Sequence, residues 1–244
     1  MPLKTTINYS PNFDLKKRRK NRIRFLIFHY TGMKSEKKAL ERLIDIQSEV
    51  SSHYFVSKRG EVNILVPDLY VAWHAGISAW KSYKSLNKDS IGIEISNPGH
   101  EFGYEQFSKK QINTLVKLSK FLIKKYKIDK KNILGHSDIA PDRKMDPGEK
   151  FPWRYFASKK IGIWHGLDVK KLRKLREIDC TKIQQNKFLY NLKSIGYSFD
   201  FGNKTIKPRN IRFIIKAFQR RFRPELINGL IDQECLLISK KLVK

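Results

Sequence analysis

Two periods of hydrophobicity alternate along this chain up to about Ala157, and only the helical one continues beyond it. "IRFLIFHY", Ile23 to Tyr30, is rich in β-branched and aromatic residues and bounded by charge and Gly32, so it predicts a buried strand with His29 at its C-terminal end. "SEKKALERLIDIQ" spaces Ala39, Leu40, Leu43 and Ile44 as the apolar face of a helix, with Ser35 as its N-cap. "HYFVSKRGEVNILV" predicts two strands about an Arg59-Gly60 turn, and "SIGIEIS" predicts another, carrying Glu94. Ser108 to Lys127 is the longest amphipathic helical pattern. Such alternation implies an α/β domain with a central sheet.

After Ala157 three amphipathic segments follow, Lys182 to Tyr197, Lys207 to Phe222 and Asp232 to Val243, punctuated by Gly196, Gly202, Pro224 and Gly229. They suit a small three-helix domain. With 244 residues to distribute, the expected division is a basic extension over 1–22, the α/β domain over 23–165 and the helical domain over 168–244.

No apolar run is long enough to span a membrane. The N-terminus places polar residues and a basic cluster where a signal peptide needs an apolar core, so a cytoplasmic site is expected, with periplasmic or non-classical export as the alternative. Cys180 and Cys235 form no Cys-x-x-Cys pair and suggest two reduced thiols. The 51 Lys and Arg against 23 Asp and Glu give a formal charge of +28, a field that attracts polyanions. The excess is spread along the whole chain in company with abundant Ile, Asn, Phe and Tyr, which fits a base-composition bias as well as a basic binding face. No nucleic-acid motif accompanies it, and nucleic acid is not expected as a partner.

The chemistry concentrates in "LGHSDIAPDRKMDPGEKFPW", Leu134 to Trp153, which has little periodicity but holds His136, Lys144 and Asp146 between prolines. His29 alone reads as a hydrogen-bonded structural histidine. Together with His136 and Asp146 it completes two nitrogens and one oxygen, the donor set of a catalytic zinc with one position left open. The prolines then restrict the loop so that two ligands are presented in fixed geometry. Amide cleavage also needs a proton carrier and a partner for the oxyanion. Glu94 is the candidate for the first and Lys144 for the second, against plainer readings as an edge-strand carboxylate and a surface lysine.

These residues resemble the zinc-dependent N-acetylmuramoyl-L-alanine amidases of the amidase-2 type, relatives of the peptidoglycan recognition proteins. The resemblance is an ordered series over roughly Arg24 to Phe156: "FHYT", "SSHYFVSKRGEV", "AWHAG", "SIGIE", "GHSDIAP" and "RKMDPG". It implies a central mixed sheet flanked by helices and one zinc ion per chain held by His29, His136 and Asp146. It implies Glu94 as general base, Lys144 as oxyanion partner and His74 near the substrate, a structural role for His74 being the alternative. The expected reaction is hydrolysis of the amide between N-acetylmuramic acid, in its ordinary or 1,6-anhydro form, and L-alanine. Peptidoglycan or a muropeptide is then the substrate, and the competing reading is a catalytically inactive wall-recognition protein. The C-terminal "LKSIGYSF" and "AFQRRFRPELINGLIDQEC" resemble a three-helix peptidoglycan-binding module, with a helical appendage that merely packs on the amidase as the alternative. His53 is expected to support a neighbouring strand, and Trp73, Trp80 and Trp153 serve equally as core or as sugar platforms.

Overall fold

The computed structural model describes residues 4–199 and 208–243, which leaves Gly202 and Lys207 outside the described residues. Among these residues the central sheet has six strands, β1 (Thr5–Ile7), β3 (Phe25–Tyr30), β4 (Tyr54–Val56), β5 (Val62–Ile64), β9 (Ser90–Ile95) and β10 (Ile133–Gly135). Two short ribbons accompany it, β2 (Phe13–Asp14) with β6 (Val71–Ala72) and β7 (Ala79–Trp80) with β8 (Tyr83–Lys84). The sheet order is β1-β5-β4-β9-β3-β10, and only β4 and β5 run antiparallel, so the sheet is mixed as expected. In register, His29 of β3 lies beside Glu94 of β9.

The helices are α1 (Glu36–Ile44), α2 (Lys109–Tyr126), α3 (His136–Ile139), α4 (Trp153–Ser158), α5 (Val169–Arg173), α6 (Lys182–Ile195), α7 (Pro208–Phe222) and α8 (Gln233–Val243). Ser35 caps α1 by accepting the Lys38 N–H, and Ser108 and Thr181 form reciprocal capping boxes with Gln111 and Gln184 at α2 and α6. The last three correspond to the three helical segments expected after Ala157.

Strand alternation divides the core. Leu26 and Phe28 of β3 and Ile91, Ile93 and Ile95 of β9 face Leu115, Leu118 and Leu122 of α2, with Phe151, Trp153 and Phe156 closing that layer. Phe25 and Ile27 face the other way, into a cluster with Leu134, Phe188, Leu192, Ile214, Phe218 and Leu236. The C-terminal helices therefore share one continuous core with the sheet.

Residues 4–22, expected as an extension, are built into the same body. Thr5–Ile7 adds a parallel edge strand against Val62–Ile64, although all three side chains are exposed. The Arg18 guanidinium donates to the carbonyls of Asp68, Asn87 and Ser90. Backbone pairing of this kind needs no apolar pattern, which is why a hydrophobicity reading passes over it.

Candidate active site

The strand that carries His29 alternates its side chains, so His29 shares the face of Phe25 and Ile27 and points away from α2. His136 opens α3 directly after β10, and Asp146 sits on the loop that follows. The last two lie 107 and 117 residues along the chain from His29, yet the three meet in a buried cluster. His29 Nδ1 lies 3.0 Å from His136 Nδ1 and 3.0 Å from Asp146 Oδ2, and His136 Nδ1 lies 3.1 Å from the same carboxylate oxygen. A tetrahedral ion with bonds of about 2.0–2.1 Å separates its ligand atoms by about 3.3–3.4 Å. The triangle is thus of the right size to hold one.

The outer nitrogens support the same donor set. His136 Nε2–H donates to the Ala75 carbonyl at 3.2 Å, which leaves its Nδ1 lone pair free for the centre of the cluster. On the other side the Ser90 hydroxyl donates to the Leu86 carbonyl and accepts from His74 Nε2–H at 3.1 Å. That fixes His74 Nδ1 as an acceptor, 3.0 Å from His29 Nε2–H, and again leaves Nδ1 of the ligand facing inward. His74, the expected substrate contact, lies along the cavity wall but spends both ring nitrogens within the protein.

The electrostatics follow from burial. Burial first, and then the neighbouring His136, lower the His29 imidazole to about 4, so it is neutral at pH 7. Burial alone raises the Asp146 carboxyl, but His136 and His29 outweigh it and hold it well below the usual carboxylate range. Glu94 behaves oppositely. It stands between β3 and β4 in the middle of the sheet, not on an edge, and its Oε2 is buried with no hydrogen-bond partner among the described residues. Burial, followed by the charge of Asp146, pushes it up to about 8, and Lys144 works to lower it.

Lys144, Glu94, His74, His136, Asp146 and Trp73 line one cavity of about 320 Å³. His53 supports the neighbouring strand as expected, its Nδ1 accepting the Gly92 N–H. Trp80 and Trp153 are core residues, whereas Trp73 forms a wall of the cavity and donates its indole N–H to Asp14. His100 acquires two partners, the Tyr30 hydroxyl and the Glu149 carboxylate. His165 caps the Leu167 N–H away from the cluster.

Some contributors went unread in the sequence. Asn87 Oδ1 accepts the backbone N–H groups of both His74 and Ala75, and the Arg143 guanidinium donates to the Ala75 and Ile77 carbonyls. Gly92 did leave a signal, since a glycine inside a strand marks a close approach. Here a Cβ would meet the His74 ring at 2.5 Å.

A family model described as N-acetylmuramoyl-L-alanine amidase, Amidase_2, matches residues 19–149. The chain belongs to this family. Among its relatives, N-acetylmuramoyl-L-alanine amidase AmiD of Escherichia coli (strain K12) is 37% identical over 235 residues, which cover 91% of this chain and 83% of AmiD. The 1,6-anhydro-N-acetylmuramyl-L-alanine amidase AmpD of Haemophilus influenzae is 32% identical over 62% of this chain and 90% of its own length. The solved structure of E. coli AmiD with the substrate anhydro-N-acetylmuramic acid-L-Ala-D-gamma-Glu-L-Lys matches with a TM-score of 0.77, over 91% of this chain and 89% of that one. The crystal structure of AMPDH3 from Pseudomonas aeruginosa matches at 0.78 with 30% identity over 97% of both chains. That likeness extends through the C-terminal helices of this Amidase_2 chain. The relatives are enzymes, and this chain is an N-acetylmuramoyl-L-alanine amidase, not an inactive recognition protein. Among the described residues, no helix is long and apolar enough to cross a membrane.

Proposed function

We propose that this amidase is zinc-dependent and hydrolyses the amide joining N-acetylmuramic acid, including its 1,6-anhydro form, to L-alanine in muropeptides. The observation that carries the reading is the triangle of two Nδ1 atoms and one carboxylate oxygen, beside the half-buried Glu94, whose buried Oε2 has no partner among the described residues. His29, His136 and Asp146 would hold the ion, and His74 and Ala75 would orient the two imidazoles from behind. Bound zinc supplies Lewis acidity, which makes water a nucleophile at neutral pH and polarises the scissile carbonyl.

The chain supplies the rest. Glu94 takes a proton from the attacking water and delivers it to the departing amine, its neutral form being stabilised by burial and its ionised form by Lys144. Lys144 places a cation on the same cavity wall, where it holds the developing oxyanion. Residues 168–244 are read as a peptidoglycan-binding-like domain, for which their sequence resemblance is the support.

Incubating the purified protein with an anhydro-muropeptide and with intact sacculi, with mass spectrometry of the products and elemental analysis of the protein, tests this reading. Free stem peptide and about one zinc per chain are expected. An active preparation without metal would refute the zinc assignment, and intact muropeptide after prolonged incubation would refute the substrate.

A further inference from the structure

Two consecutive arginines of α7, Arg220 and Arg221, reach out of the C-terminal helices and meet the two ends of the loop that carries His136 and Asp146. Arg221 is almost wholly buried. One arm of its guanidinium donates to Asp138 Oδ2 at 2.5 Å and another to the Ile133 carbonyl of β10 at 2.8 Å, while its central carbon lies 4.3 Å from the Trp153 ring centre. Asp138 passes the contact on. Its Oδ2 also accepts the Gly135 N–H at 2.8 Å, at the backbone turn immediately before His136, and its Oδ1 accepts the Tyr197 hydroxyl at 2.7 Å. Tyr197, like Arg221, belongs to the C-terminal segment.

The far end of the loop is held by related means. Ser137 N–H donates to the Asp146 carbonyl at 2.9 Å, and Gly135 leaves room for Pro147, whose Cδ a Cβ would meet at 2.7 Å. Arg220 Nε stands 3.7 Å from Glu149 Oε2, three residues past the ligand, and Glu149 accepts in turn from His100. Without the C-terminal helices, Asp138 would keep the Gly135 N–H and lose both outside partners.

We propose that Arg221 and Tyr197, acting through Asp138, are positioning residues for His136, so that the C-terminal helical segment is part of the scaffold of the metal site. The proposal rests on the reading of His136 as a zinc ligand. Groups that orient a metal ligand from behind typically govern affinity by about 10- to 100-fold, and Asp138 acts one bond network further out than His74 or Ala75.

The test uses the full chain carrying Arg221→Met, Arg221→Lys or Tyr197→Phe. Zinc affinity is measured by competition with a chromogenic chelator, well below each variant's melting temperature, and kcat and KM are measured on a soluble muropeptide. Arg221→Met should weaken zinc binding by about 10-fold, the low end of that range, and lower kcat with little change in KM. Arg221→Lys should recover part of the loss, because an ammonium can meet Asp138 but cannot span to the Ile133 carbonyl as well. Tyr197→Phe deletes one hydrogen bond and should shift affinity in the same direction by less. A merely structural role predicts a lower melting temperature with unchanged zinc affinity in the folded protein, and that result overturns the proposal. If Arg221→Met does not fold, the other two variants decide, and unchanged affinity in both overturns it. A wild-type chain that neither binds zinc nor hydrolyses muropeptide would mark failure of the functional reading instead.

Discussion

Replacing Glu94 by glutamine separates the chemistry of the site from its stability. The folded carboxyl is pushed up to about 8 from an ordinary value of 4.5, first by burial and then by the charge of Asp146. A raised carboxyl means that the unfolded chain loses its proton first, so this group subtracts stability as pH rises from about 4.5 to about 8. At about 1.4 kcal/mol per pH unit, the loss accumulated between pH 4.5 and pH 7 is on the order of 3 kcal/mol. The amide of Glu94→Gln does not titrate. The metal-free variant should therefore gain on the metal-free wild type by that amount across the interval, or on the order of 6–12 °C in melting temperature for a chain of this size. Zinc should shrink the difference, because a nearby cation stabilises the ionised carboxylate of the wild type. Hydrolysis should meanwhile fall by about 10²- to 10⁴-fold with zinc retained. Melting curves of both proteins in chelator, taken at half-unit pH steps, provide the assay. Parallel stability profiles for the two proteins would refute the buried-carboxyl argument, and near-normal turnover would move the proton carrier elsewhere.

His29→Ala, His136→Ala and Asp146→Ala should each weaken zinc binding and abolish most turnover, read by elemental analysis after dialysis and by muropeptide hydrolysis. Gly92→Ala should cost about 1–3 kcal/mol and weaken zinc binding, since its methyl displaces the His74 ring that backs His29; denaturant unfolding and a zinc titration check both. Truncation after Trp164 should lower the melting temperature and the activity on muropeptide and sacculi alike, because it strips the cover from Phe25, Ile27 and Leu134. Loss confined to sacculi, with the melting temperature unchanged, would contradict this shared core. Lowering the pH below about 6.5 should destabilise the metal-free Glu94→Gln protein, in which the opposing titration of Glu94 is absent, through His29 and His53, which are lowered to about 4 and about 3 in the fold, chiefly by burial, and so resist protonation there. A flat melting temperature from pH 7 to pH 4 would contradict this.

The residues around the cluster were legible to different depths. His29, His136 and Asp146 stood out because polar residues at the end of an apolar strand and on a proline-bound loop demand a partner, and periodicity placed β3, β9, α1 and α2 close to where they fold. Glu94 could be read on an edge or in the interior, and only the strand order decides, since sequence does not encode which strands lie side by side. His74 was open for the same reason: its partners Ser90 and His29 lie 16 and 45 residues away. The amphipathic faces of α6, α7 and α8 announced that they would be covered, but an apolar stripe carries no address. Arg221 was hidden among many basic residues, and its burial appears only once Asp138 and Trp153 are in place.

The alternation of β3 also bears on how chains of this kind can diverge in length. Both faces of the strand are filled, one by the aromatic layer around Phe28 and the other by the histidines and the C-terminal core. A single inserted or deleted residue between Ile23 and His29 would exchange the two faces, driving an imidazole against Phe151 and a phenyl ring into the ligand cluster. The half-exposed turn at 31–35 and the segment at 99–106, mostly exposed or half-exposed, carry no such penalty. Gaps in an alignment of descendants should therefore collect in those connections and stay out of the strand, however far the surface lysines drift.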